Sequence, residues 1–336
     1  MINWAILGTG FISGTMADAI RQSPGSRLYA LYGRDRSRIA AFAAAHPAER
    51  VEMDLDALLA DPAVDAVYVG LPNHLHRQAV ERIAAAGKAI VSEKSLTVSL
   101  ADANALADAV RRQGVFFMEG LMYLNHPVIE ALGTVLMSGR LGRIRAVEAF
   151  YAADIWRVAN PLGGGTLYNL GCYPASLLHY VMQTAFGDEA FRERQTGGAG
   201  FLLPGQGTMV DAALHVRFAA GVLATIQCSD GYGMRHGFTV HGEKASLRFI
   251  TNPWLPVAGE NRMEITGADG AVDEVTVDGD HDAFGYQVRR VEACLAAGLT
   301  EPPRPSPRLE DSLAIMELLD DWQRHALPGS PRGEGR

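Results

Sequence analysis

A doubly wound parallel α/β domain, followed by an α+β domain with a large, mostly antiparallel, open-faced sheet, is the fold class that three observations predict. An N-terminal apolar run, Ile2 to Leu7, is cut by Gly8 and Gly10, and apolar residues return at helical spacing as Ile12, Met16 and Ile20. Short apolar strands then alternate with helical patterns to about residue 120. Beyond that point consecutive alternating strands follow one another without helices between them.

Taken in order, the first strand and helix are joined by a tight glycine turn. Such a turn leaves the first N–H groups of the helix open to an anionic ligand, with the helix dipole favouring a pyrophosphate. Gly8 permits the turn, and Gly10 removes a side chain that would hold the ligand away; Phe11 and Ile12 supply the N–H groups that follow. The third position of the G-x-G-x-x-G pattern is Ser13, with Gly14 next to it. A second strand over Arg27–Tyr32 leads to Gly33-Arg34, where a dinucleotide fold meets the adenosine ribose. An arginine fork suits a 2′-phosphate, so Arg34, helped by Arg38 or Ser37, points to NADP in preference to NAD. A solvated loop is the alternative, and Asp35 lies close by.

A helix over 38–45 and a segment rich in Asp and Leu precede a strand over 64–70, which runs into Leu71-Pro72-Asn73-His74-Leu75-His76. Strand ends at the carboxyl edge of such a sheet are where ligands lie, which places Leu71, Pro72, Asn73 and His76 beside the cofactor. A capping or surface role is the other reading of His74 and His76. The strand over 88–92 delivers Glu93-Lys94-Ser95 to the same edge, which places Glu93 and Lys94 beside the cofactor as well, and a partly desolvated lysine there is suited to hold a substrate hydroxyl. Ser99 with Asp102 resembles a capping box, and Val115–Met118 is the last parallel strand.

In the second half a helix runs from about Pro127 through Met137, followed by strands over 143–151, 210–218, 222–228, 237–241, 245–250, 263–266 and 272–277. One face of this sheet is expected to pack on helices; the other needs a partner, so a homodimer or higher homo-oligomer through the sheet is expected. Gly163-Gly-Gly-Thr-Leu-Tyr-Asn169-Leu-Gly171-Cys-Tyr173-Pro174 precedes a helical pattern. On a helix, Asn169 and Tyr173 project from one face, as an orienting amide and a hydroxyl handler would; a structural loop and a core tyrosine are the alternative. Helices over 282–297 and 309–325 complete the chain. The domains read as 1–120, dinucleotide-binding, and 121–327, substrate-binding and oligomerisation, with a frayed tail at 328–336.

Bulk properties bound the function. A length of 336 residues suits two domains, and 48% hydrophobic with 20% charged residues describes a soluble globular protein. A net charge of −8 without clustered Lys and Arg disfavours a nucleic-acid partner. Cys172, Cys228 and Cys294 are scattered, which supports neither a disulfide framework nor a metal site. The chain carries neither a leader-like segment nor a membrane-length apolar run, and a cytoplasmic protein is expected.

Together Gly8-Thr-Gly10, Pro72-Asn73-His74-Leu75-His76, Ala86-Gly87-Lys88 leading to Glu93-Lys94, and Gly163-Gly-Gly-x-Leu-x-x-x-Gly171 make the chain resemble the Gfo/Idh/MocA oxidoreductase family from Ile2 to about His325. Glu119-Gly-Leu-Met-Tyr123-x-x-His126-Pro127 and Tyr173 are similar to the branch containing dimeric dihydrodiol dehydrogenase, xylose dehydrogenase and glucose-fructose oxidoreductase. The resemblance implies a Rossmann domain, an open-faced sheet domain, and hydride exchange between a nicotinamide and a sugar-like secondary alcohol or ketone. It implies that Lys94 polarises the reacting oxygen, that Tyr173 carries the hydroxyl proton, and that Asn169 supports them; Tyr123, Trp156, Arg157 and Tyr232 are candidates for shaping the substrate pocket. Two positions depart from the family pattern: Asn169 stands where aspartate is common, and Ser95 where proline is common, which makes a trans peptide the expectation after Lys94. These departures are the support for a rival reading, a cofactor-binding sensor or regulatory protein without turnover.

Overall fold

The apolar run at the N-terminus becomes β1 (Ile2–Leu7), and the periodic segment after the glycine turn becomes α1 (Phe11–Gln22), which buries Met16, Ala17 and Ile20. The computed structural model describes residues 1–203, 205 and 207–327, so the tail over 328–336 lies outside the described residues. β2 (Ser26–Tyr32), α2 (Arg36–Ala45), β3 (Arg50–Glu52), α3 (Leu55–Leu59) and β4 (Ala66–Val69) follow. The segment rich in Asp and Leu thus holds a short edge strand and a short helix that its composition did not announce. α4 (His76–Ala85), β5 (Ala89–Glu93), α5 (Leu100–Gln113) and β6 (Phe117–Gly120) complete a six-stranded parallel sheet of order β3-β2-β1-β4-β5-β6. Ser99 caps α5 by accepting the Asp102 N–H, and Gly114 ends it in the left-handed region. The order reverses between β1 and β4, and the crevice at that switch is where ligands of this architecture bind.

The second compact unit begins with α6 (Pro127–Met137) and β7 (Ile144–Ala153) and continues through α7 (Cys172–Phe186), β8 (Arg194–Leu202), β9 (Met209–Phe218) and β10 (Leu223–Ser229). β11 (Met234–Gly242), β12 (Ala245–Phe249), β13 (Gly259–Gly267) and β14 (Val272–Gly279) finish a sheet of eight strands ordered β14-β13-β12-β11-β7-β10-β9-β8. Only the β7–β10 pair is parallel among these described strands. Period-two alternation holds along β9, where Leu214, Val216 and Phe218 are buried and Ala213, His215 and Arg217 are exposed. α7 is buried from Cys172 through Leu178 and packs on β7, β10 and α6.

α8 (Ala283–Ala296) and α9 (Leu309–Ala326) follow the second sheet. The units are residues 1–125 with 281–313, and residues 126–280 with 314 onward. This differs from a single division after residue 120. The reason is packing: Val288, Val291 and Cys294 of α8 join Trp4, Ile6, Met16, Ile20 and Leu28 in the core of the first unit. Glu292 of α8 accepts hydrogen bonds of 2.6 Å from both Ser23 and Ser26.

Candidate active site

In the first unit, Gly8 has φ +108°, a conformation that L side chains rarely adopt, and a Cβ there would meet the Gly70 carbonyl oxygen at 2.5 Å. Gly70 in turn leaves the space that the buried Ser13 hydroxyl fills, since a Cβ on Gly70 would lie 2.3 Å from Ser13 Oγ. The close approach of α1 to the sheet, usually given by a third glycine, is here shared between Ser13 and Gly70. Gly10 caps α1 without a side-chain hydrogen bond, and a Cβ on it would meet nothing within 4 Å. Open space over an uncapped helix terminus, beside a close-packed turn at the switch point, fits the pyrophosphate of a dinucleotide. Phe11 is exposed and Ile12 half-buried on the first turn of α1.

Arg34 and Arg38 are exposed at the end of β2 and the start of α2. Asp35 is used locally: its carboxylate accepts the N–H groups of Ser37 and Arg38 at 2.9 Å each, and these bonds hold it below the usual carboxylate range. The acidic residue at this strand end is thus turned into a helix cap, and the arginines are the groups left facing solvent.

His76 lies neither on the surface nor in a cap. It is fully buried, with Nε2 2.8 Å from the Leu71 oxygen and Nδ1 3.1 and 3.2 Å from the Ser95 and Leu96 oxygens. The ring ties the segment after β4 to the segment after β5. Burial pushes its pKa down, while the surrounding carbonyls favour the charged ring. Pro72 is exposed, and Leu71, Asn73 and His74 are half-buried.

Lys94 is half-buried at the carboxyl end of β5. Its peptide bond to Ser95 is cis, which corrects the expectation drawn from the missing proline. Two carboxyl groups that the motifs did not single out as a pair flank it. Glu93 is 6% exposed and accepts the Tyr68 hydroxyl and, at 3.3 Å, the Lys94 backbone N–H. Glu119 is 2% exposed on β6, in register with Ser92 of β5. Burial pushes the Glu119 carboxyl up to about 7, opposed by the Ser312 hydroxyl and the Leu96 N–H and reinforced by Glu93; burial raises Glu93 as well. Tyr123 is fully buried in a short 3₁₀ turn against α8.

In the second unit, Leu167–Gly171 form a π-helical turn that runs directly into α7. Asn169 sits in this turn and Tyr173 in the first turn of α7. Gly165, at φ +77°, brings the start of the turn against β9, where a Cβ would meet the Met209 oxygen at 2.5 Å. Gly164, where a Cβ would meet the Tyr168 ring at 2.4 Å, and Gly165 therefore serve packing within the chain. Tyr173 is 6% exposed, edge-on to Tyr151 at 5.2 Å and tilted against Trp254 at 6.4 Å. Burial pushes Tyr151 up to about 12. Asn169 is half-buried and donates from Nδ2 to Asp230 Oδ2 at 3.3 Å. Asp230 follows β10 directly and precedes Gly231, a turn signature that gives no hint of its partner 61 positions away. Trp156 is half-buried with the exposed Arg157 guanidinium 4.5 Å over its ring, and Tyr232 is 44% exposed.

Among the described residues no cluster of metal-ligating side chains forms, and no helix is long and apolar enough to cross a membrane.

Residues 2–121 match the Gfo/Idh/MocA oxidoreductase family with an NAD-binding Rossmann fold, and residues 129–248 match the Gfo/Idh/MocA C-terminal domain. Trans-1,2-dihydrobenzene-1,2-diol dehydrogenase of Bos taurus is 28% identical over 336 residues, covering 96% of each chain. The human protein of the same name is 26% identical over 338 residues, again covering 96% of each. Among solved structures, KijD10, a 3-ketoreductase from Actinomadura kijaniata in complex with TDP-benzene and NADP, superposes with a TM-score of 0.83 at 26% identity over 97% of this chain and 98% of that one. Aldose-aldose oxidoreductase from Caulobacter crescentus, complexed with glycerol, shares the fold with a TM-score of 0.82 at 22% identity over 97% of both chains. The chain belongs to the Gfo/Idh/MocA oxidoreductase family and is an NAD(P)-dependent oxidoreductase.

Proposed function

We propose that this enzyme exchanges a hydride between NADP and a secondary alcohol or ketone of a sugar, cyclitol or related cyclic diol. The observation that carries the reading is the shared carboxyl edge of the parallel sheet: the glycine cradle after β1, the segment after β4 and Lys94 after β5 all belong to it. The dehydrogenase and ketoreductase relatives support the alcohol–ketone chemistry, and the NADP bound by KijD10, together with Arg34 beside a preoccupied Asp35, supports the cofactor preference.

A nicotinamide dinucleotide held at the Gly8–Gly10 turn and the first turn of α1 would supply the two-electron chemistry as hydride acceptor or donor. Lys94 holds the reacting oxygen and stabilises the negative charge that grows on it in the transition state. In the oxidative direction Tyr173 accepts the hydroxyl proton as the carbonyl forms; in reduction it gives that proton back. Asn169 orients the substrate hydroxyl, and Trp156 and Arg157 belong to the walls of the substrate region. We further propose a homodimer, or higher homo-oligomer, built on the exposed face of the eight-stranded sheet, where Ala213, His215, Arg217, Leu223, Thr225 and Gln227 stand uncovered in the isolated chain. Three free, buried cysteines support a cytoplasmic setting.

The test is nicotinamide absorbance with NADP and with NAD against aldoses, cyclitols and trans-dihydrodiols, with keto sugars run in reverse. Turnover on at least one class, faster with NADP, is expected. Tight cofactor binding without turnover on any class would favour the sensor reading.

A further inference from the structure

The face of the second sheet that packs on α7 passes from core to surface along β11. Phe238 and Val240 are 1% and 0% exposed on that face, and His236, next in the same alternation, is exposed. His236 stands directly opposite Tyr151 of β7, as Phe238 stands opposite Ala149. Register partners of this kind share one face of the sheet, with Cβ atoms about 5 Å apart. The Tyr151 ring is stacked on Trp254 with centroids 6.0 Å apart and meets Tyr173 edge-on at 5.2 Å. Tyr151 and Tyr173 are each 6% exposed, so this aromatic cluster closes the core at the first turn of α7, and His236 is the first side chain of β11 beyond it.

The same end of the sheet carries the segment after β7. The Asp154 N–H donates to the Gly233 oxygen at 3.0 Å, and the N–H groups of Ile155 and Trp156 donate to the Asp230 oxygen at 3.0 and 3.1 Å. Trp156, Tyr232 and His236 therefore belong to one rim of the second unit, at the sheet end where Tyr151 meets Tyr173. A histidine at such a rim meets a ligand either as a cation, which suits a carboxylate or phosphate, or as a neutral ring with one donor and one acceptor nitrogen. Burial lowers the pKa of His236 from its ordinary value, so the ring is neutral at pH 7 and above. A hydroxyl, itself both donor and acceptor, is the group that such a ring complements. We propose that His236 is a specificity-determining residue: it hydrogen-bonds a hydroxyl of the sugar or cyclitol other than the one that reacts, and so selects polyhydroxylated over deoxygenated substrates. This rests on Tyr173 belonging to the reacting site.

His236→Ala and His236→Gln test this on the best of the sugars and cyclitols and on its monodeoxy analogues, with kcat, substrate KM and NADP KM measured and thermal unfolding as the folding control. With the parent, one analogue is expected to lose about 10-fold or more in kcat/KM against the full polyol, because it leaves the imidazole unpaired. His236→Ala is expected to lose about 10-fold in kcat/KM on the full polyol, chiefly through substrate KM, and to keep NADP KM. On that one analogue it is expected to match the parent, since hydroxyl and imidazole form a single interaction whose two deletions do not add. His236→Gln keeps a donor and an acceptor and is expected to recover part of the discrimination. A His236→Ala enzyme that loses equally on every analogue, or that equals the parent on all of them, overturns the proposal. If His236→Ala does not fold, His236→Phe is read in its place by the same outcomes. A parent active on dihydrodiols but on no sugar or cyclitol overturns the inference and leaves the hydride chemistry standing; a parent without turnover on any class defeats both. Lys94→Ala measured alongside separates the two levels: full turnover there defeats the proposed mechanism, whereas lost turnover there with a parent-like His236→Ala defeats this inference alone.

Discussion

At the scale of single residues, the first unit keeps a carboxyl group where water does not reach it. The Glu119 carboxyl, raised by burial to about 7, lies above its value in an unfolded chain. The native state then binds more protons than the unfolded one between about pH 4.5 and 7, so this group's contribution to stability falls as pH rises through that window and is flat above it. Glu119→Gln removes the titration while keeping the shape. It is expected to flatten the pH dependence of thermal stability between those limits and to stabilise the protein at pH 8, by at most about 3 kcal/mol. Denaturant unfolding at pH 5 and pH 8 measures it, and an unchanged difference between the two pH values would contradict the burial argument. Which carboxyl groups are buried was hidden in the sequence, because Glu93 sits in a motif that reads as exposed to ligand, yet its carboxylate faces the Tyr68 hydroxyl within the fold. The Asn169–Asp230 pair was hidden for a different reason: the partners lie on elements far apart in the chain, and spacing reports only neighbours.

At the scale of elements, strands and helices with a clean period were legible, and those whose period is interrupted were not. β8 carries Gly197, Gly198 and Gly200, which erase the apolar alternation; the structure uses the gaps, since a Cβ on Gly197 would meet the His215 ring at 2.2 Å. The π-helical turn at Leu167–Gly171 was equally unreadable: four-residue spacing suggested an ordinary helix through Asn169 and Tyr173, whereas Asn169 lies in a turn with five-residue hydrogen bonding and Tyr173 in the first turn of α7. The sequence suggests a ribose contact at the junction of β2 and α2, and the structure adds that Asp35 is the helix cap. Asp35→Ala is expected to cost about 1 kcal/mol of stability and leave cofactor choice in place. Arg34→Ala is expected to raise the KM for NADP about tenfold or more with little change for NAD, the loss of a charge-assisted phosphate contact. Equal effects on both cofactors would remove Arg34 from the phosphate site.

At the scale of the whole molecule, the two sheets followed from alternation and its change near residue 120, but the assignment of α8 did not. Amphipathic spacing says that a helix buries one face and is silent about which core receives it; Val288, Val291 and Cys294 enter the core of the first unit. Leu223 and Thr225 stand on the uncovered face of the second sheet. Leu223→Glu with Thr225→Arg is expected to shift the protein from dimer toward monomer in sedimentation velocity, because charges at the centre of such a surface require desolvation on association. A monomeric parent would contradict the proposed assembly.

In the proposed mechanism Lys94 and Tyr173 carry the chemistry while the glycine cradle and its neighbours bind the cofactor. Its most direct test measures, on the same preparations, NADP binding by fluorescence titration and single-turnover rates with the best substrate for the parent, Lys94→Ala and Tyr173→Phe. Binding within about threefold of the parent and rates reduced by about 100-fold or more are expected for both variants, since each lost group acts on charge or a proton in the transition state. Parent-like rates in both variants, with binding intact, would contradict the account.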